Sequence, residues 1–115
     1  MGRGALELLV TTRTMPNDIP VACCLSNAAL REREATLFVA FKAAALLTEA
    51  MEDGYLFRLP GDEKTLALVV ELITVERECC PFLTFHLTVQ AQMGPIALRL
   101  TGPPGTREFL QSILG

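Results

Sequence analysis

The chain has 115 residues, of which 50% are hydrophobic and 20% are charged, and its formal net charge is −3. This length suffices for one domain with one core, and the composition excludes an intrinsically disordered protein. The sequence contains no cluster of Lys or Arg, so it lacks the basic face that binds nucleic acid. We therefore predict a single domain over residues 1–115 that does not contact nucleic acid directly.

The apolar runs are too short to cross a membrane. The two longest are residues 36–47, interrupted by Lys42, and residues 66–75, interrupted by Glu71. A membrane span requires roughly 18–20 apolar residues. The N-terminal sequence lacks the apolar run of a signal peptide, and Leu6 argues against myristoylation. These features predict a cytoplasmic protein with no membrane partner.

The first predicted elements are a strand over residues 6–12 and a long helix over residues 28–51. Apolar residues at alternate positions favour the strand, and apolar residues at helical spacing favour the helix. Either Ser26 or Asn27 is expected to cap the first turn of that helix. The charged run at residues 31–34 is interpreted as a solvated face of the helix.

A second strand and a second helix follow. Residues 55–59 alternate as a strand, with its odd-numbered residues facing the core, and Asp62 is a predicted cap for a helix over residues 63–78. That helix is apolar on nearly every side, which predicts a central position or an interface in a homodimer. Pro81 disfavours a helical conformation at Cys80 and therefore ends the helix.

The last predicted elements are a hairpin and a short helix. The hairpin joins strands over residues 82–90 and 96–101, and the helix begins at Thr106. The residues expected to face the core are Leu83, Phe85, Leu87, Val89, Ile96, Leu98 and Leu100 in the hairpin and Phe109, Leu110 and Ile113 in the helix. The order β-α-β-α-β-β-α predicts a single α+β domain with helices packed on a mostly antiparallel sheet.

The four cysteines form two adjacent pairs, Cys23-Cys24 and Cys79-Cys80. In a cytoplasmic chain such residues are expected to be thiols, metal ligands or redox groups rather than structural disulfides. The pair Cys79-Cys80 lies at the joint between the second helix and the hairpin. Three interpretations are open for it: small buried hydrophobes, thiolate ligands of a soft or borderline cation, or a redox or nucleophilic thiol.

The expected helix ends help to distinguish these interpretations. Cys24 precedes a helix N-terminus, whose dipole stabilises a thiolate, whereas Cys79 lies at a helix C-terminus, where the dipole disfavours one. Cys24 is therefore the better nucleophile. A bound cation explains Cys79 and Cys80 better, because it forces thiols to deprotonate. We favour a metal site formed by Cys24 with one or both of Cys79 and Cys80, and zinc, mercury and monovalent copper are the candidate ions.

Two further residues have side chains that bind metals in other proteins. His86 is the only histidine, and the strand pattern places it on the outer face of the sheet among threonines, so we interpret it as a surface residue. Glu76 lies one helical turn before Cys80. Two interpretations of Glu76 are open: an oxygen ligand or a support for a ligand, and an ion pair with an arginine on an exposed turn.

The segment at residues 76–85, Glu-Arg-Glu-Cys-Cys-Pro-Phe-Leu-Thr-Phe, resembles a family of small bacterial proteins with a Glu-Arg-x-Cys-Cys-Pro-Phe-x-x-Phe signature. Matches at residues 24–25, 53–57 and 94–103 extend the resemblance over most of the chain after about position 20. The family is associated with heavy-metal resistance, particularly to mercury, and with metal-responsive regulation. The resemblance implies that Cys24, Cys79 and Cys80 are the thiol positions, while Cys23 is peculiar to this sequence.

The leading hypothesis is a small cytoplasmic protein that binds a thiophilic metal ion through Cys24, Cys79 and Cys80, with the question of an enzymatic activity left open. Its role would be sequestration, delivery or sensing, and a sensor without a helix-turn-helix would act through a partner. One alternative is a thiol redox enzyme with Cys24 as nucleophile and Cys79 or Cys80 as resolving thiol. The other is a dimeric interaction module in which the cysteines only pack.

Overall fold

The computed structural model describes residue 21 and residues 27–114. The elements in this part of the chain are α1 (Ala28–Ala44), β1 (Leu47–Met51), β2 (Gly54–Leu59), α2 (Glu63–Cys79), β3 (Thr84–Val89), β4 (Ile96–Thr101) and α3 (Thr106–Leu114). The predicted α+β class is confirmed, and the described elements follow the predicted order with one strand added. The predicted strand over residues 6–12 lies outside the described residues, as do Cys23 and Cys24.

The four strands form one antiparallel sheet in the order β1-β2-β4-β3. On its inner face Phe57 lies opposite Leu98, and Leu59 lies opposite Ile96. All four of these side chains are buried, because residues at alternate positions of paired strands share one face and this face is covered by helices. The predicted core residues of the two central strands are thereby confirmed.

The additional strand is β1, which replaces the end of the predicted first helix. The helix was expected to continue to Met51, but it ends at Ala44, and Ala45 adopts an extended conformation. The chain then turns back through Met51 opposite Gly54 to pair with β2. Pairing with a central strand outweighs the helical spacing of Ala45 and Leu46, because tertiary contacts override local propensity. The predicted helix boundary was wrong for this reason.

The helices cover the inner face of the sheet, with α1 and α2 packed against each other. The ring of Phe41 on α1 meets the ring of Phe57 on β2 edge to face, with centroids 4.8 Å apart. On α2, Val69 and Leu72 are buried while Val70 is 48% exposed. The apolar character of α2 is therefore largely satisfied within one chain.

The predicted caps are present at both long helices. The side chain of Asn27 accepts hydrogen bonds from the backbone N–H groups of Ala29 and Leu30 at 2.8 and 3.2 Å. The carboxylate of Asp62 accepts from the backbone N–H and the hydroxyl of Thr65. These bonds satisfy N–H groups that have no partner within the helix.

The edge strand β3 is less covered than its alternation predicts. Phe85, Leu87 and Val89 lie opposite inward-facing residues of β4, so their predicted face is correct. However, Leu87 and Val89 are 38% and 53% exposed, and only Leu83, which precedes the strand, is fully in the core. On α3 the same correction applies to Ile113, which was expected in the core but is 39% exposed.

Within the described residues, no helix is both long and apolar enough to cross a membrane.

Candidate metal centre

The Cys79-Cys80 pair lies where α2 ends, as Pro81 predicts. Cys79 is the last helical residue, and Cys80 leaves the helical conformation with φ −126° and ψ 76°. The backbone N–H of Cys80 still donates to the carbonyl oxygen of Glu76 at 2.7 Å. The carbonyl oxygen of Cys80 accepts from the N–H of Leu83 at 3.1 Å. Both cysteines are therefore held in fixed backbone positions, and both are buried.

Two glutamates join the cysteines. Glu76 lies one helical turn before the pair, on the same side of α2, and is fully buried. Glu34 comes from the neighbouring helix α1 and is half-buried. One ligand atom from each of Glu34, Glu76, Cys79 and Cys80 lies within 4.8 Å of the other three. We call these four residues the Cys-Glu cluster, and it could hold a metal ion.

Glu76 has an unusual environment for a carboxyl group. Among the described residues, neither of its oxygens has a partner at hydrogen-bonding geometry. The pKa of Glu76 is raised to about 9, first by burial and then by the proximity of the Glu34 carboxyl, while Cys80 acts in the opposite direction. The carboxyl group is therefore protonated at neutral pH when no cation is bound.

A buried carboxyl group with no hydrogen-bonding partner in the described part of the chain needs an explanation. Buried polar side chains almost always have hydrogen bonds, and the exceptions are commonly found where an ion binds or a reaction occurs. The sulfur atoms and carboxylate oxygens that surround Glu76 belong to the donor types that zinc takes in proteins. The chemistry of the donors therefore fits a metal ion.

The oxidation state of Cys79 affects what the Cys-Glu cluster can bind. Cys79 is disulfide-bonded, whereas Cys80 carries a thiol. A disulfide sulfur is not a thiolate, so Cys79 becomes a metal ligand only after reduction. The sequence favoured thiols, metal ligands or redox groups over a structural disulfide. The structure instead contains Cys79 in its oxidised, disulfide-bonded form.

The structure brings together two of the three predicted metal ligands, Cys79 and Cys80. Glu76 lies beside them, as one of its two interpretations expected, and the other interpretation, an ion pair on an exposed turn, was wrong. Cys24 lies outside the described residues, so its role as a ligand stays a prediction. Glu34 was missed, because the charged run that contains it was interpreted as a solvated face. In that run Arg33 does lie at the surface, where it pairs with Glu71.

A signal for Glu34 was nevertheless present in the sequence. It lies four residues after Leu30, three before Leu37 and four before Phe38. On a helix these spacings place all four side chains on one stripe. A charged residue within an apolar stripe faces the core side of the helix, where it needs a partner or an ion.

The remaining candidate, His86, is not part of the Cys-Glu cluster. It is exposed on the outer face of β3, and its Nε2 forms a hydrogen bond of 3.1 Å with the hydroxyl of Thr101. The prediction of a surface histidine is confirmed.

No family model, curated protein or solved structure matches this chain. The resemblance to the Glu-Arg-x-Cys-Cys-Pro-Phe family therefore stays a prediction.

Proposed function

We propose that the protein binds one divalent cation of the zinc class through the thiolates of reduced Cys79 and Cys80 and the carboxylate of Glu76. The observation that supports this most strongly is a fully buried carboxyl group, with no hydrogen-bonding partner among the described residues, beside two cysteine sulfurs and a second carboxylate. Glu34 or the predicted ligand Cys24 would complete the coordination.

The dimensions of the Cys-Glu cluster suit this proposal. Zinc–sulfur bonds are about 2.3 Å and zinc–carboxylate bonds about 2.0–2.2 Å, so ligand atoms of a tetrahedral site lie roughly 3.3–3.8 Å apart. The four ligand atoms lie within 4.8 Å of one another. Contraction by roughly 1 Å would form the tetrahedron, and small rotations about side-chain bonds provide such movements.

The mixed donor set favours one class of ion. Thiolates alone suit zinc, mercury and monovalent copper, whereas carboxylate oxygens suit harder cations. A site with both donors therefore favours a divalent borderline ion such as zinc over monovalent copper. The negative charge of a second carboxylate, Glu34, adds to the preference for a divalent over a monovalent ion. Sequestration, delivery and sensing are all compatible with this site.

Native mass spectrometry of the reduced protein tests the proposal. Zinc is added in the presence of a competing small thiol, and wild type is compared with a Cys79→Ser/Cys80→Ser variant. We expect wild type to retain one ion and the variant to retain none, because the variant lacks both thiolates. Cys23→Ser is the matched control and should retain the ion. Loss of zinc from reduced wild type, or its retention by the double variant, would contradict the proposal.

A thiol redox enzyme is the second candidate, and the disulfide at Cys79 beside the thiol of Cys80 favours it. Both residues are buried, with 0% and 1% of their surface exposed. A protein disulfide cannot reach sulfurs at that depth without local opening, so we place this candidate after metal binding. Rapid exchange of folded protein with protein disulfides would reverse that order.

A further inference from the structure

We propose that metal binding and the Cys79 disulfide exclude each other, so that oxidation releases the ion and reduction restores the site. This inference rests on the proposed function and names its regulation. The Cys79 sulfur belongs both to a disulfide and to the Cys-Glu cluster. One sulfur atom cannot serve both purposes, because a metal needs the thiolate that disulfide formation removes.

The loss of Cys79 would leave an inadequate site. In the part of the chain that the structure describes, the remaining donors are the sulfur of Cys80 and the carboxyl groups of Glu76 and Glu34. One thiolate with two carboxyl groups provides one sulfur fewer for a zinc-class ion and one negative charge fewer to hold it. Oxidation should therefore weaken the binding of zinc at least about 100-fold. Losing a ligand should reduce the affinity by more than losing a residue that only supports a ligand.

The structure also indicates that reduction alone would be enough to restore the site. In the disulfide-bonded form, Glu34, Glu76 and Cys80 already lie around the Cys79 sulfur within 4.8 Å. The backbone of Cys80 is fixed by hydrogen bonds to Glu76 and Leu83. Within the described residues, reduction therefore requires movement only of the sulfur atoms and nearby side chains, and the sheet and helices need not rearrange.

Reduction of the Cys79 disulfide proceeds by thiol–disulfide exchange. One thiolate of a small dithiol attacks the disulfide of Cys79 and forms a mixed disulfide, and its second thiol closes to a cyclic disulfide. Two electrons pass to the protein, which gains two thiols, including that of Cys79. Zinc binding then displaces the protons of Cys79, Cys80 and Glu76 into solvent. In the reverse direction, a small-molecule disulfide accepts two electrons from two protein sulfurs and leaves as two thiols, protons are taken up from solvent, and the ion returns to water.

The test uses wild-type protein in three states: oxidised by a small-molecule disulfide, reduced by a dithiol, and re-oxidised. Each sample is freed of reagent and titrated with zinc against a chromogenic chelator, and disulfide content is measured by mass. We expect tight binding of one ion in the reduced sample only, with affinity at least about 100-fold lower in both oxidised samples.

Two results would overturn the inference in distinguishable ways. Equal affinity in oxidised and reduced samples would refute the switch while leaving the proposed metal site intact. Absence of tight binding in the reduced sample would refute the proposed function, and the switch with it. A Cys79→Ser variant adds a second test, because its zinc affinity should be low and should not change when oxidant is added. A change with oxidant in this variant would assign the switch to another cysteine.

Discussion

Glu76 is the residue whose environment differs most from that of an ordinary side chain of its type. It is fully buried, and burial beside Glu34 raises its pKa from 4.5 to about 9. The folded protein thus binds this proton more tightly than the unfolded chain does. Between those two pH values, ionisation favours the unfolded state, so this contribution to stability is complete at low pH and is lost as pH rises.

We predict that Glu76→Gln removes this loss of stability with rising pH in the metal-free, disulfide-bonded protein. Glutamine keeps the shape of the protonated acid and has no proton to release. The variant should exceed wild type in stability by at least roughly 2 kcal/mol at pH 9, because the carboxyl group of Glu76 ionises in the unfolded wild-type chain and glutamine does not. The difference should shrink toward pH 5. Urea unfolding across this range measures it, and Glu71→Gln, from the exposed part of α2, is the control. Parallel pH profiles for wild type and Glu76→Gln would contradict the prediction.

Much of the site could be predicted from residue types and spacing. The cysteine pair, its place at a helix end and the possible involvement of Glu76 all follow from the local sequence around Pro81. The contact between Glu76 and Glu34 could not be predicted in the same way. It depends on how α1 packs against α2, and the packing of two helices is not contained in the pattern of either one.

At the level of elements, the end of α2 determines where the cysteines point. Pro81 cannot donate a backbone hydrogen bond, and it prevents Cys80 from remaining helical. It is itself exposed, so its replacement should remove few packing contacts.

We predict that Pro81→Ala allows Cys80 to take a helical conformation and so moves its sulfur away from Cys79 and Glu76. Zinc affinity of the reduced protein should fall about 10-fold, a size typical of changes that disturb the orientation of a ligand. The free energy of unfolding should change by less than about 1 kcal/mol. Pro104→Ala, in the exposed loop before α3, is the matched control and should leave affinity unchanged. Unaltered zinc affinity in Pro81→Ala would show that the helix end does not position the site.

The sheet contains a second element-level constraint at Gly54, the first residue of β2. A Cβ atom added there would overlap the backbone carbonyl of Leu100 on β4. Gly54→Ala should therefore separate these two central strands and destabilise the protein by roughly 3 kcal/mol. Thermal unfolding monitored by circular dichroism measures this effect. A variant with wild-type stability would show that the two strands do not approach each other this closely.

The strands and helices themselves were predicted with differing success, and the reasons are physical. The alternation of β2 and β4 identified their buried faces correctly, because both strands lie in the centre of the sheet. The alternation of β3 gave the correct face but not its exposure, since the coverage of an edge strand depends on how far the helices extend. The strand β1 was missed because it is stabilised by pairing with β2 rather than by its own sequence.

For the whole molecule, the arrangement of helices over one face of the sheet places the Cys-Glu cluster inside the protein. The cluster lies between α1 and the end of α2, among residues that also form the core. Metal binding there should stabilise the folded state, because the unfolded chain has no assembled site. The predicted homodimer is not required to explain the apolar helix α2, most of whose large side chains are buried or half-buried within one chain, and it stays a prediction.

X-ray absorption at the zinc edge of reduced protein loaded with one equivalent of zinc distinguishes a mixed thiolate and carboxylate site from any other. We expect a first shell containing both sulfur at about 2.3 Å and oxygen at about 2.0–2.2 Å. Glu76→Gln should lose oxygen from that shell and keep the sulfur, whereas Glu71→Gln should give the wild-type spectrum. A shell of sulfur alone in wild type would remove the carboxylates from the site. A shell without sulfur would contradict the assignment of Cys79 and Cys80 as ligands and, with it, the proposed function.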